Sequence, residues 1–251
     1  GDLRSLVKSI VNADSKNVDF KVTQFEETGI LPTYLFNFVV GDFHEIRYPA
    51  ADLDDELLDK DMRLLIPAGL KNYGIAQSGD IFKVMRAGLK FYNAYFNNFN
   101  KQKKLALIFC PEFSTGAMEY PGAITINDDY IFQSTNPKPS SLFNRANTIL
   151  HELAHLWFGD TVTMAWWSDL WLNESFATFM SYLAMSEIGD AVKYADIDPW
   201  MIFSKRKGWA YGEDISSTTH PISHNVKNTD EAKSAFDGIT YAKGAAVLQS
   251  I

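Results

Sequence analysis

Two histidines in the segment His-Glu-Leu-Ala-His stand four residues apart, at His151 and His155. In an α-helix this spacing places both imidazoles on the same face, where they can bind one metal ion together. Glu174 follows in the segment Trp-Leu-Asn-Glu and can supply a third ligand. A His/His/Glu set leaves the fourth tetrahedral position of Zn²⁺ open, which is typical of catalytic rather than structural sites. The sequence therefore predicts one Zn²⁺ per chain, with Glu152 as the general base on the metal-bound water.

Hydrophobic periodicity places the histidine pair inside a regular helix. The pattern begins at Pro139, continues through an apolar stripe and is predicted to end at Gly159. A second helix is predicted from about Ser168 to Glu187, so that two antiparallel helices can bring Glu174 beside the histidines. The alternative is a pair of ordinary histidines on a partly buried helix. That alternative leaves the Glu174 carboxylate unexplained among apolar residues, because a buried carboxylate is costly unless it is paired or binds a metal.

The composition provides ample material for a hydrophobic core. The 251 residues are 46% hydrophobic and 22% charged, and the formal net charge is −8. This acidic balance argues against nucleic acid and anionic membrane surfaces as partners, and no apolar run reaches the ~18 residues of a membrane span. Cys110 is the only cysteine, so no internal disulfide can form. Its apolar neighbours predict a buried structural thiol, and an intracellular, reducing compartment such as the cytoplasm is favoured.

The remaining patterns predict an α+β fold. The predicted strands and extended segments occupy residues 18–25, 33–40, 63–66, 104–110 and 113–127. A long amphipathic helix is predicted to begin at Gly79. The final helix, from about Tyr241, is still apolar in pattern where the sequence stops, and residues 1–40 offer too few strands for a sheet of their own. We therefore expect the chain to be an excised piece of a longer protein, cut within structure at both ends.

Four short segments allow comparison with known families. Residues 151–160 read His-Glu-Leu-Ala-His-Leu-Trp-Phe-Gly-Asp, and residues 166–177 read Trp-Trp-Ser-Asp-Leu-Trp-Leu-Asn-Glu-Ser-Phe-Ala. Residues 116–119 read Gly-Ala-Met-Glu, and residues 241–245 read Tyr-Ala-Lys-Gly-Ala. In order and spacing they resemble the HExxHxWFG, WWxxLWLNEGFA, GAMEN and YxKGA motifs of the zinc aminopeptidases of the aminopeptidase N type. The resemblance covers roughly residues 25–251.

The resemblance implies a domain organisation. A thermolysin-like catalytic domain, with a small mixed sheet and helices that carry the zinc site, would occupy residues 41–251 and be truncated at its C-terminal end. Residues 1–40 would be the last strands of an N-terminal β domain. Family members continue with further domains, so the flanking domains of the parent protein are expected partners, and the isolated chain is expected to be weakly active or inactive.

The resemblance also implies roles for residues that periodicity alone does not single out. Glu119 would bind the free α-amino group of a peptide substrate, and Gly116, Ala117 and Met118 would line the peptide. Tyr241 would donate its hydroxyl to the oxyanion of the tetrahedral intermediate. Without the resemblance, Glu119 is expected to be a surface carboxylate and Tyr241 a core or interface ring. The implied function is hydrolysis of the N-terminal peptide bond of peptides that have a free α-amine.

Some positions depart from the family pattern. Tyr120 stands in place of a usual Asn, Leu156 in place of a common Gln, and Ser175 in place of a common Gly. Tyr120 can alter contacts to the peptide backbone of a substrate. Leu156 and Ser175 are not expected to touch the chemistry. Asp160 and Asp169 are the predicted hydrogen-bond partners of the ligand imidazoles, because such histidines usually donate their second N–H to a carboxylate or carbonyl.

Three other functions remain as alternatives. A zinc-dependent epoxide hydrolase and aminopeptidase of the leukotriene-hydrolysing branch would keep the metal, but that branch usually carries a GGMEN-like motif and this chain has Ala117. An endopeptidase is disfavoured because Glu119 would close the cleft at the amine end. A non-catalytic scaffold is disfavoured because the residues of the His-Glu-x-x-His motif are all present.

Overall fold

A computed structural model describes residue 25 and residues 27–49, 61–97, 104–189 and 196–251. The chain divides into two units, Gly1–Leu31 and Pro32–Ile251, and the helices and strands of the described residues lie in the second. The predicted strand at 18–25 lies almost wholly outside the described residues. The predicted strand at 33–40 is wrong, since Thr33–Leu35 is a 3-10 helix and residues 36–40 form no strand. A strand needs a paired neighbour, and among the described residues none pairs with this segment.

Five strands form one mixed sheet in the described part of the chain. They are β1 (Phe43–Arg47), β2 (Asp61–Pro67), β3 (Lys104–Cys110), β4 (Ala117–Met118) and β5 (Ala123–Asn127), in the order β1-β2-β3-β5-β4. The central pairs β2–β3 and β3–β5 are parallel, and the two outer pairs are antiparallel. The central strands are rich in Leu and Ile, and most of these side chains are buried in the core. The predicted α+β class with a small mixed sheet is confirmed.

Six α-helices accompany the sheet in the described residues. They are α1 (Lys71–Tyr95), α2 (Pro139–His155), α3 (Leu170–Glu187), α4 (Pro199–Asp214), α5 (Thr229–Ser234) and α6 (Gly244–Ser250), the last preceded by a π-helix at Ile239–Lys243. The predicted helices at 139 and 168–187 are confirmed as α2 and α3. Helix α1 begins eight residues before the predicted start at Gly79. Gly74 explains the difference, because its missing side chain lets the first turns of α1 pack directly against Ile66 of β2.

Helix α1 joins the sheet to the two helices that carry the metal-binding motif. The Tyr92 hydroxyl lies 3.0 Å from the carbonyl oxygen of Leu150 in α2 and 3.2 Å from that of Met180 in α3. Gly88 allows α1 to approach α2 closely, since a Cβ at this position would overlap the Leu150 side chain. Among the helices that the structure describes, none combines the length and the apolar character needed to cross a membrane. The three helices and the sheet thus form one continuous core beneath the site.

Candidate metal centre and active site

The three predicted ligands come together between α2 and α3. The Nε2 atoms of His151 and His155 lie 3.1 Å apart, and Glu174 Oε2 lies 3.2 Å from the first and 3.4 Å from the second. A tetrahedral zinc ion with ligands at ~2.0–2.1 Å requires ligand atoms that are ~3.3–3.4 Å apart. The donor types and their spacing therefore fit a tetrahedral divalent cation such as Zn²⁺.

A backbone carbonyl, rather than a carboxylate, orients the second histidine. The Nδ1 atom of His155 lies 2.8 Å from the carbonyl oxygen of Phe158, so the ring donates there and directs Nε2 towards the other ligands. The predicted partners are wrong. Asp169 accepts a hydrogen bond from Ser223 instead, and both carboxylate oxygens of Asp160 are buried without a hydrogen-bond partner. The chain turns back after α2, which brings the carbonyl within reach of the ring that precedes it by three residues.

Gly159 makes this turn possible, although the sequence predicted a different role for it. Helix α2 ends at His155, four residues before the predicted end. Gly159 has a φ of +134°, and a Cβ there would lie 3.2 Å from Nδ1 of His155. Backbone with positive φ favours glycine, because it lacks a side chain. Gly159 therefore belongs to the support of the metal ligand rather than to the helix cap.

The charges of the buried groups around the ligands favour a bound cation. Burial lowers the pKa of His151 to about 4, so its imidazole is neutral and able to bind a metal. Burial alone would raise the pKa of Glu174, but the charge of His155 and hydrogen bonds from both imidazoles outweigh it and hold the pKa at about 2. Burial and the nearby Glu119 carboxylate raise the pKa of Asp160 to about 8. Several carboxylates thus share a buried space in which a cation would reduce their mutual repulsion.

Two further carboxylates lie beside the metal-binding set. Glu119 and Glu152 are 4% and 5% exposed, and each offers an oxygen within 4.8 Å of a ring nitrogen of His155 and of the other's carboxylate. Burial raises the pKa of both, and neighbouring carboxylates, including Glu174, raise it further. The interpretation of Glu119 as a surface carboxylate is therefore wrong. Glu119 and Glu152 form a buried acidic pair beside His155, which can bind a cationic group and exchange protons.

Tyr241 completes the group beside the His151 imidazole. Its ring stacks on that of His151 with centroids 6.0 Å apart. Burial raises the pKa of the phenol well above its usual value, and the Glu174 carboxylate, to which it is hydrogen-bonded, raises it further. The hydroxyl is consequently a proton donor at any physiological pH. It lies next to the metal ligands rather than in a distant core or interface.

The Gly116, Ala117 and Met118 segment reaches the site from the edge of the sheet. Ala117–Met118 is β4, the outermost strand in the order of the described strands, and it leads directly into Glu119. An edge strand has backbone groups on one side that no other strand uses, and an extended peptide can pair with them. The segment can therefore hold a peptide alongside the metal-binding residues.

Sequence reasoning missed the aromatic residues around the site. Tyr34, which was assigned to a strand of a separate domain, accepts a hydrogen bond of 3.2 Å from Asn173. Burial first, and then the charges of Glu119 and Asp160, raise its pKa. Its ring lies 5.2 Å from that of Trp167. No local pattern could reveal this placement, because Tyr34 stands far from the metal-binding motif in the sequence.

Comparison with known proteins gives a consistent result. The model of the peptidase family M1 domain matches residues 82–251. Aminopeptidase N of Streptomyces lividans is 38% identical over 96% of this chain and 27% of its own length. The tricorn protease-interacting factor F2 of Thermoplasma acidophilum is 38% identical over 97% of this chain and 29% of its own length. Leucyl aminopeptidase of Saccharolobus solfataricus is 37% identical over 92% of this chain and 27% of its own length.

The chain spans less than a third of the length of these relatives. The matched region contains α2, α3 and the residues of all four motifs. The resemblance on which the expected roles were based is confirmed at the level of the family. Since the family model matches more than half of its residues, the chain belongs to peptidase family M1.

Proposed function

We propose that the protein is a zinc-dependent aminopeptidase that hydrolyses the N-terminal peptide bond of peptides with a free α-amine. One observation carries the proposal. Three ligand atoms at tetrahedral spacing lie against two buried carboxylates, those of Glu119 and Glu152. A hydrolytic aminopeptidase needs such a set, because it must bind a cationic amine and move protons beside a metal. The names of two relatives, an aminopeptidase N and a leucyl aminopeptidase, point the same way.

The metal would be held by His151, His155 and Glu174. When bound, zinc supplies a Lewis acid and lowers the pKa of water to ~7. Glu152 accepts the proton of the attacking water and returns it to the leaving amine. Burial raises the pKa of this carboxyl, and neighbouring carboxylates raise it further, which makes the carboxylate a stronger base.

Tyr241 stabilises the developing charge. Its phenol stays protonated, as the direction of its pKa shift requires, and can therefore donate a hydrogen bond to the oxygen of the scissile carbonyl. Donors of this type act most strongly when they are held in place before the reaction, as the contacts with His151 and Glu174 hold this ring.

Glu119 selects the substrate. A buried carboxylate at the end of β4 can pair with the α-ammonium group of a peptide whose first residue lies along Gly116, Ala117 and Met118. A peptide with a blocked amine loses this ion pair and leaves the carboxylate buried without a partner, which is costly. The site therefore favours exopeptidase over endopeptidase activity.

The test combines metal content with substrate blocking, in the protein expressed at its full encoded length. We expect about one zinc per chain in the wild type and loss of that zinc in Glu174→Ala. Glu187→Ala, at an exposed position near the end of the same helix, is the matched control and retains the metal. We also expect cleavage of aminoacyl amides that N-acetylation of the substrate abolishes. Zinc without cleavage would favour the epoxide hydrolase or scaffold alternatives, and absence of zinc would refute the proposal.

A further inference from the structure

A buried serine connects the metal-binding helix to the turn that carries Tyr241. Ser175 follows Glu174 directly in α3 and is fully buried. Its hydroxyl donates a hydrogen bond of 2.5 Å to the carbonyl oxygen of Thr240. That carbonyl belongs to the peptide group whose N–H is that of Tyr241. The serine therefore fixes the carbonyl side of the peptide plane from which the Tyr241 side chain departs, while the N–H side donates a hydrogen bond of 3.0 Å to the Asp237 carbonyl oxygen.

The fit between the two segments depends on a glycine. A Cβ at Gly244 would overlap the Ser175 hydroxyl and would lie 2.9 Å from the Ser175 Cβ. The first residue of α6 must therefore lack a side chain for Ser175 to occupy this space. Because both Ser175 and Thr240 are almost completely buried, water cannot replace the hydrogen bond when it is lost.

A second contact fixes the same turn from its other end. One carboxylate oxygen of Asp237 accepts hydrogen bonds of 3.0 Å from the backbone N–H groups of Ile239 and Thr240. Its other oxygen lies 2.8 Å from Nε2 of His220. The backbone N–H of Thr240 is thus held by Asp237 and its carbonyl by Ser175. Asp237 thus anchors the turn locally, and the serine contact ties it to α3.

We propose that Ser175 is a positioning residue that sets the location of the Tyr241 hydroxyl relative to the metal ligands. Glu174 and Ser175 are neighbours in one helix, so a single rigid element places both a metal ligand and the oxyanion donor. This inference rests on the proposed function, because it assigns a consequence to the position of Tyr241 in catalysis. It extends that function to a residue that contacts neither substrate nor metal.

The kinetic test uses the zinc-loaded protein at its full encoded length and a double-mutant cycle. We expect Ser175→Ala to lower kcat about tenfold and to change KM less than twofold, since a displacement of ~1 Å can cost ~100-fold. In a Tyr241→Phe background the same substitution should lower kcat less than twofold, because it acts through the missing hydroxyl. Ser181→Ala is the matched control. Ser181 is equally buried in α3, but its hydroxyl bonds Thr178 and Asn147, and we expect kcat to stay within twofold.

A metal-independent readout tests the same contact. With 3-fluorotyrosine at position 241 of the metal-free protein, Ser175→Ala should shift the fluorine NMR signal, and Ser181→Ala should leave it in place. Gly244→Ala should lower the unfolding temperature. Addition of Ser175→Gly to the same protein should restore it, because removal of the serine side chain makes room for the new Cβ at position 244. This pair of variants keeps the test informative if the alanine variant folds poorly.

The outcomes separate the two proposals. If Tyr241→Phe lowers kcat but Ser175→Ala lowers it equally in both backgrounds, or if the fluorine signal does not move, Ser175 has no positioning role and the aminopeptidase proposal stands. If the wild type cleaves nothing, or if Tyr241→Phe keeps full kcat, the oxyanion role fails and the catalytic consequence assigned to Ser175 fails with it. The fluorine measurement then still decides whether the serine places the tyrosine.

Discussion

Replacement of Gly159 by alanine should damage the metal centre without touching a ligand. The residue has a φ of +134° and follows Phe158, whose carbonyl accepts the Nδ1 hydrogen bond of His155. A new Cβ would lie 3.2 Å from that nitrogen and 3.4 Å from the His155 carbonyl oxygen. The ring and the turn cannot both stay where they are, so the imidazole should lose its fixed orientation.

The structure sets the size of the effect. Holding a residue other than glycine at such a φ costs about 1–3 kcal/mol, and loss of the Nδ1 hydrogen bond adds about 1 kcal/mol. The metal-free protein should therefore be about 2–4 kcal/mol less stable, which corresponds to a fall in Tm of roughly 4–16 °C for a chain of this length. Loss of a supporting partner of a ligand typically weakens metal binding by ~10–100-fold.

Two measurements check these values. Thermal unfolding of the metal-free protein gives the loss of stability, and competition with a chromogenic chelator gives the zinc Kd. Gly79→Ala is the control, since Gly79 lies on the exposed side of α1 with no atom within 4 Å of its Cβ position. That substitution should leave zinc binding unchanged and raise stability by about 0.4–1 kcal/mol. A Gly159→Ala protein that loses less than 0.5 kcal/mol and binds zinc within threefold of wild type would refute the reasoning.

Three further predictions concern other parts of the site. Glu119→Gln should lower kcat/KM for substrates with a free amine about 10–100-fold, because an ion pair to the ammonium group is worth ~1.5–3 kcal/mol, and its zinc content should stay at the wild-type value. Equal wild-type activity on free-amine and N-acetylated substrates would contradict this prediction. Tyr92→Phe should lower the free energy of unfolding by about 1–2 kcal/mol in a urea titration, because it removes the hydroxyl that lies between the Leu150 and Met180 carbonyls. An unchanged urea midpoint would count against this link between α1, α2 and α3. The metal-free protein should lose stability as the pH falls from ~6.5 to about 4, because folded His151, with its lowered pKa, binds fewer protons than the unfolded imidazole over that interval. His151→Gln should flatten the profile of Tm against pH. An equal slope in the variant would show that other groups cause the pH dependence.

The metal ligands could be predicted from sequence because their geometry is local. The spacing of His151 and His155 fixes their common face once a helix is recognised, and α2 was recognised from its apolar stripe. Prediction of Glu174 as the third ligand required only that α3 pack antiparallel to α2 across a short connection. The assignments of Glu119 and Tyr241 came from family resemblance, since their chain positions carry no periodic signal.

What the sequence did not reveal depends on tertiary contacts. The alternating apolar residues at 36–40 predicted a strand, but alternation cannot supply a partner strand, and the apolar side chains of Phe36, Phe38 and Val40 are exposed. The support of His155 by Phe158 arises from a turn whose shape depends on one glycine φ angle. Strand β1 and helices α4 and α5 were not predicted at all. Both helices begin at a side-chain N-cap, Asp198 and Asn228, a local signal that was not used.

The π-helix at Ile239–Lys243 limits how the gene can change. A π-turn holds one residue more than the α-helical turn that it replaces, and here it runs directly into α6. Deletion of the Ala242 codon would shorten this stretch by one residue and allow a continuous α-helix. It would also rotate Tyr241 by ~100° about the helix axis relative to α6, which would take its hydroxyl away from Glu174. This one-codon deletion would therefore misplace the proton donor while leaving Tyr241, Lys243 and Gly244 in the protein.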